Sequence, residues 1–291
     1  GRFSVDDEAP ITLYLSAAAP VAQDYQLFLQ LLDETGTEIA NITSHPGWGR
    51  NPTTHWQPGA LYADRYLLRI TGDPGDASPL VARLYTGIVD PGTAGAGNFP
   101  LEATNAAGEV VTPFVGTVTV LPSNPPANAG ADATTVGATF GNVIRIDSAD
   151  FGAPVDSGAA GNSDAAAVLP ADIELRAGAP LTVTVLYEAV GTPATEYTGY
   201  VQLLNGDGVP VAGFDQQPAP NRFPTNLWRS GDRILATYPL ALPADLPSGA
   251  YRLITGLYES ASQGAVRLPV SDAANRDAGD GQVLLGVVVV P

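Results

Sequence analysis

Slid along itself by 172 positions, this sequence meets its own residues again. Tyr25 falls on Tyr197, Gln30-Leu31-Leu32 on Gln202-Leu203-Leu204, Gly36 on Gly208 and Pro46 on Pro218. Pro52-Thr53 meets Pro224-Thr225, Trp56 meets Trp228, Gly59 meets Gly231 and Tyr66 meets Tyr238. After one residue of slippage Leu84-Tyr85 meets Leu257-Tyr258, and both copies end alike, Val115–Val120 against Leu285–Val290. Ordered matches with so few gaps define two copies of one domain. The first copy occupies 1–122, a Pro/Gly/Ala-rich linker 123–138, and the second copy 139–291. Pro122, at the end of the first copy, and the linker's Pro125 and Pro126 predict an extended, stiff connection.

Within each copy the apolar pattern has a period of two. Tyr25, Leu27, Leu29 and Leu31 alternate with Gln26, Phe28, Gln30 and Leu32, and Tyr197, Val201 and Leu203 alternate in the same way. Such alternation predicts strands with one buried face. Asp33–Gly36 and Asn205–Gly208 follow as turns, and Glu38–Thr43 and Val209–Phe214 as returning strands. Tyr62–Ile70 with Ile234–Leu242, and Leu80–Ile88 with Tyr251–Glu259, are further strand pairs; Pro239 inside one of them marks an edge. With 32 glycines and 26 prolines the chain is punctuated too often for long helices. The expected fold is all-β, two tandem immunoglobulin-like antiparallel β-sandwiches joined by the Pro-rich linker. Leu246–Leu253 carries the turn and tyrosine of a tyrosine corner at Tyr251, where the first copy has Ser78 at the matching place.

The copies differ at their start. Phe140–Asp147 reads as an opening strand of the second copy, and the first copy has no room for its equivalent. A sandwich short of a strand presents unpaired backbone and an apolar slot, which is a template for strand addition. The slot can be filled by an upstream segment of the natural protein, by local loops such as Asp90–Leu101, or by a neighbouring molecule whose donated strand builds a filament.

Composition removes several function classes. The 13 basic residues are all arginine and face 30 acidic ones, a formal charge of −17 without a basic stripe, so nucleic acid is not a partner. Without cysteine there is no thiol nucleophile, disulfide or zinc–thiolate site. Neither Gly-x-Ser-x-Gly nor a phosphate-cradling loop with lysine is present. The longest apolar run, Val283–Val290, is too short for a membrane-spanning helix and reads as a strand.

Site candidates are few. Trp56 and Trp228, repeated within Pro-Thr-x-x-Trp-x-x-Gly, read as core anchors in preference to sugar platforms, together with Tyr66, Tyr238 and Tyr251. Trp48, flanked by Gly47 and Gly49 and unmatched in the second copy, is the candidate for stacking on a sugar or a partner protein. His45 and His55 flank the same loop, where a shared metal would need a third ligand. Phe28 and Tyr200 lie opposite the core face and are interface candidates. Asp272, Asp277 and Asp280, and Asp147, Asp150 and Asp156, offer oxygen ligands of the kind calcium takes, against the plainer reading of solvated loop acids. No catalytic residue and no other cofactor is assigned.

The second copy resembles a known family. Tyr-x-x-Tyr-Val-x-Leu-Leu at 197–204, Gly-Asp-Gly at 206–208, Phe214-Asp215 and Pro224-Thr225-x-x-Trp228-x-x-Gly231 are followed by Leu-Pro-x-x-Leu-Pro-x-Gly-x-Tyr at 242–251, Gly256-Leu257-Tyr258 and Arg267-Leu268-Pro269. This set resembles the extracytoplasmic β-sandwich modules that follow the multi-pass membrane region of glycosyltransferases in Chloroflexota-type bacteria. The resemblance covers nearly all of 139–291 and, more weakly, 11–122, and carries no catalytic residues with it. It implies an extracytoplasmic, secreted or cell-surface setting. The expectation is a non-catalytic structural or adhesion protein of a bacterial surface, self-associating or bound to a neighbouring surface protein, with filament assembly by strand complementation. The alternative is a glycan-binding accessory module associated with a membrane glycosyltransferase.

Overall fold

The computed structural model describes residues 1–74, 78–93, 101–152, 171–261, 264–273 and 276–291. Its contacts divide the chain into a first unit, Gly1–Gly75 with Pro79–Ser123, and a second built on Asn124–Pro291. The regular elements among the described residues are strands and short 3-10 turns.

The first unit has β1 (Arg2–Ser4), β2 (Glu8–Leu15), β3 (Gln26–Leu32), β4 (Glu38–Ser44), β5 (Tyr62–Arg69), β6 (Leu80–Val89) and β7 (Phe114–Leu121). One layer is a five-stranded sheet in the order β1-β7-β6-β3-β4, and the other is the pair β2-β5. Alternation turns Leu27, Leu29 and Leu31 of β3 and Val118 and Val120 of β7 inward, where they meet Ala9 and Leu13 of β2 and Tyr66 and Leu68 of β5 in one buried cluster. Each leucine fully buried there contributes roughly 1.5–3 kcal/mol.

The second unit has β8 (Thr134–Phe140), β9 (Ile144–Gly152), β10 (Ala171–Glu174), β11 (Pro180–Ala189), β12 (Tyr197–Leu204), β13 (Pro210–Gln216), β14 (Arg233–Ala241), β15 (Gly249–Glu259), β16 (Val270–Ser271), β17 (Asp277–Gly279) and β18 (Gln282–Val290). Its layers are β10-β18-β15-β12-β13, with β17 pairing on β18, and β14-β11-β9-β8-β16. Both units are β-sandwiches. β14 is the terminal strand of its sheet, as Pro239 predicts.

Register tests the duplication residue by residue. Ala9 lies opposite Leu68 and Leu181 opposite Leu240, so β2 and β5 keep the 172 offset to β11 and β14. The offset then falls to 169, because Leu31 faces Leu84 while Leu203 faces Leu253. Leu84-Tyr85 is therefore the counterpart of Leu253-Ile254, not of Leu257-Tyr258. Bulges at Leu84/Tyr85 and at Leu253/Ile254 confirm the pairing, as do Gly116 opposite Leu84 and Gly286 opposite Leu253. The equivalent of Tyr251 becomes Ala82 instead of Ser78.

Two readings at the junction are corrected. Phe140–Asp147 is not one strand: Gly141 and Asn142, both at φ 56°, turn the chain between β8 and β9. Paired positive φ values suit a tight hairpin turn, and glycine and asparagine accept them. Among the described residues, what the second unit has and the first does not is thus a hairpin, not a single strand. The range 123–138 is also more than a linker, since β8 begins at Thr134. The Arg233 guanidinium donates to the carbonyls of Pro126 at 2.6 Å and Ala127 at 2.9 Å, and Ala129 N–H donates to the Ser148 hydroxyl at 3.0 Å.

Candidate functional site

Among the described residues no hairpin lies along the second side of β2. In the second unit β11 pairs with β14 on one side and β9 on the other. Among the described residues β2 pairs with β5 alone. Ile70 N–H donates to the Asp7 carbonyl at 2.9 Å, so odd-numbered backbone groups of β2 turn to β5 and those of Pro10, Thr12 and Tyr14 turn to the open side. Proline is tolerated there because no partner asks for its N–H; its equivalent on the paired strand is Thr182.

Side-chain exposure marks the same vacancy. Val183, Leu186 and Tyr187 of β11 are each 0% exposed. Their counterparts Ile11 and Leu15 are half-buried and Tyr14 is 69% exposed. The segment Asp90–Leu101 does not supply the cover at its described end: Leu101 N–H donates to Ile88 on β6, in the other sheet.

A second contrast lies on the outer face of the five-stranded sheet. Phe28 sits over Gly87, where an added Cβ would come within 2.4 Å of the ring. Tyr200 sits over Gly256 in the same manner, at 2.3 Å from its hydroxyl. Above Phe28 a cleft of about 510 Å³ is lined by Phe28, Gln30, Tyr85, Leu101, Val111 and Pro113 among others. Phe114 meets Tyr85 edge-on at 6.0 Å and is 56% exposed. Beside it Gln30 donates to Glu38 at 2.8 Å, and Asn41 donates to the same carboxylate at 2.5 Å. Tyr200 has no such opening. It is 2% exposed in a small cluster with Leu204 and Ile254, against which Tyr258, Ala278 and Leu284 pack, and the Arg267 guanidinium lies 5.6 Å from its ring. The expectation that Tyr200 offers an interface is therefore overturned: its own unit covers it.

The remaining candidates do not converge. Trp48 is 53% exposed and holds φ 57° in the turn Pro46–Gly49, with its ring 6.0 Å from Tyr66. The turn is tied down by Asp64, whose two carboxylate oxygens accept from Gly47 N–H at 3.1 Å and one of which accepts from the Tyr66 hydroxyl at 2.5 Å. Burial, then this bond, push the Tyr66 hydroxyl well above the ordinary tyrosine range. His45 Nδ1 pairs with Asp24 at 2.9 Å, while His55 is exposed on the turn Thr53–His55.

Trp56 and Trp228 are buried and fastened alike, Nε1 donating to Asn51 at 3.2 Å and to Phe223 at 3.0 Å. The threonine of each Pro-Thr-x-x-Trp clasp accepts a backbone N–H, from Tyr25 at 2.9 Å and from Tyr197 at 2.8 Å. Tyr238 meets Tyr187 hydroxyl to hydroxyl at 2.7 Å, and Tyr251 donates to the Pro247 carbonyl at 2.7 Å.

Asp280 pairs with Arg267, Asp277 accepts from Gly279 N–H at 2.8 Å, and Asp272 stands at φ 57°. Asp147 and Asp150 lie on β9 and not in a loop, and Asp156 is outside the described residues. Among the described residues no three histidine or acidic side chains group closely enough to hold a metal ion.

The fold class is thus a pair of all-β sandwich units. No family model and no curated protein sequence matches the chain. Among solved structures, the C-terminal domain of Wzt is similar at 12% identity and a TM-score of 0.34, over 56% of this chain and 80% of that one. A Corynebacterium diphtheriae protein described as membrane-anchored is similar at 10% identity and a TM-score of 0.23, over 99% of this chain and 58% of that longer one. Among the described residues no helix is long and apolar enough to cross a membrane.

Proposed function

We propose that this chain is a non-catalytic structural or adhesion module of a bacterial surface, outside the cytoplasm, that associates through the open edge of β2. The observation that carries this reading is the contrast between β2, paired on one side, and β11, paired on both. A bare edge presents donors and acceptors in strand spacing, and main-chain pairing supplies affinity while alternate side chains supply specificity. Supporting it, Ile11, Tyr14 and Leu15 of this strand are each less covered than their counterparts Val183, Leu186 and Tyr187. Sedimentation of the chain over a wide concentration range, alone and with strand-rich partners of the same surface, tests the reading. Association that is lost on Thr12→Pro supports it, and association unchanged by that variant refutes it.

A second reading, recognition of a glycan, is favoured by the cleft over Phe28. Phe28, Tyr85 and Gln30 line that cleft, and a second pocket sharing Phe28 and Gln30 adds the amide of Asn41 and the carboxylate of Glu38, a combination of aromatic and polar groups that grips sugar faces and hydroxyls. Calorimetry with neutral oligosaccharides, repeated on Phe28→Ala, distinguishes it. In that reading Trp48→Ala leaves binding intact, since Trp48 is not among the cleft residues.

A further inference from the structure

We infer that the occupant of the β2 edge is an antiparallel β-hairpin built like β8–β9, entering in one fixed register. The inference rests on the proposed role of that edge and adds the identity and placement of the partner strand. The second unit contains the template. There β9 lies antiparallel to β11 with Phe151 opposite Val183, Asp150 opposite Thr184, Ala149 opposite Val185 and Ile146 opposite Tyr187. Because β2 and β11 keep the same register to β5 and β14, the same guest positions fall opposite Ile11, Thr12, Leu13 and Leu15. The guest therefore places apolar side chains at the positions of Phe151, Ala149 and Ile146, on the core side of Ile11, Leu13 and Leu15, and polar ones between them. Its backbone meets the groups of Thr12 and Tyr14, while Pro10 offers only an acceptor.

The two edges differ in charge, and this specifies the guest further. On β11 the hairpin is clamped by Arg233, which pairs with Asp147 at 2.9 Å beside the β9 bulge and grips the segment leading into β8. At the Arg233 position the first unit has Leu61, which is 71% exposed. A guest on β2 is consequently held by strand pairing and apolar contact, needs no carboxylate at the bulge, and binds with little dependence on salt.

The test uses the intact chain and, as probe, a fluorescent peptide of residues 134–152, the β8–β9 hairpin itself. Saturable one-to-one binding is expected, with amide exchange at Thr12 and Tyr14 slowed about tenfold or more. Thr12→Pro, which deletes a donor on the open side and none toward β5, abolishes this binding; a peptide of equal composition with inward and outward residues exchanged does not bind. Affinity changes by less than about twofold between low and high salt.

Register is read from cysteine pairs. Thr12→Cys is expected to cross-link to the probe carrying Asp150→Cys and not to one carrying Ser148→Cys. Cross-linking in the other register, or a parallel arrangement, overturns the hairpin assignment and leaves the open edge as an association site. A chain that associates only through β2 pairing with β2 of a second copy, and ignores the peptide, also overturns it. If Thr12 and Tyr14 gain no protection from the peptide or from raised chain concentration, the edge is not a docking site at all and both readings fall.

Discussion

Phe28 and Tyr200 stand on equivalent strands, β3 and β12, of the two units, over the equivalent glycines Gly87 and Gly256, yet one borders an open cleft and the other is sealed. The two-layer frame is shared down to the placement of its bulges. What differs is the chain laid over it. In the second unit β17, Arg267 and Tyr258 close the outer face, and β8–β9 closes the other layer. In the first unit the outer face keeps a cleft, and among the described residues β2 keeps an unpaired edge. A duplicated sandwich can therefore carry two kinds of surface while its core alternation is unchanged, because the inward and outward faces of a strand are independent choices.

The core anchors should break this symmetry most. Trp228 is 0% exposed and packs between Phe223 and Tyr187, with ring centroids 6.4 and 6.3 Å away, whereas Trp56 is 7% exposed and stacks on Tyr62 at 4.8 Å. Trp228→Ala should cost about 3–5 kcal/mol in denaturant unfolding, and Trp56→Ala measurably less. Equal losses would erase the distinction between the two loops.

A swap of core chemistry comes next. Leu27 occupies the position of Gly199, where a Cβ would lie 2.3 Å from the Tyr238 hydroxyl and 2.8 Å from that of Tyr187. Gly199→Leu should destabilise by about 1–3 kcal/mol through overpacking. Adding Tyr187→Leu and Ala236→Asp, which recreates Leu15, Asp64 and Tyr66 of the first unit, should restore part of that loss. A triple variant no better than the single would show that the two tyrosine anchors are not interchangeable.

Arg233→Leu gives the second unit the residue found at Leu61. Losing the clamp on Pro126, Ala127 and Asp147 should cost about 1–3 kcal/mol and speed amide exchange over 127–133, without moving the first unit. Asp64→Asn is smaller, about 1 kcal/mol for one weakened bond to the Tyr66 hydroxyl, and its signature is altered Trp48 fluorescence as the Gly47 turn loosens.

The mildest test is alkaline pH. Burial raises the hydroxyls of Tyr187 and Tyr238 above the usual range, and burial followed by Asp64 does the same for Tyr66. A raised folded value means that their contribution is complete below the unfolded value of about 10 and is lost as pH climbs beyond it. Unfolding midpoints should fall above that pH, and fall less in the variant carrying Tyr187→Phe and Tyr238→Phe.

Reading the sequence recovered strands well and junctions poorly, for identifiable reasons. Pairing Leu84-Tyr85 with Leu257-Tyr258 misplaces β15 by four residues. An even shift leaves every inward residue inward, so period-two patterning is blind to it; only hydrogen-bonded register exposes the error. Gly141-Asn142 carried a hairpin signal inside what otherwise reads as a continuous strand. The acids at 147 and 150 sit on β9 because the strand runs past the point where its apolar pattern fades. Tyr200 resembled Phe28 in every local respect, and its burial depends largely on residues 54 or more positions further along the chain.

From its residues alone the chain was committed to two copies of one all-β unit, to an acidic surface without thiol or lysine chemistry, and to a first copy shorter at its start than the second. These follow from periodicity, composition and self-similarity, which are local or additive properties. Which edge stays bare, which outer face stays open, and what ties the Trp48 turn were decided only in three dimensions. Each depends on segments distant in sequence arriving, or failing to arrive, at one strand, and backbone pairing between distant segments leaves no mark in either one taken separately.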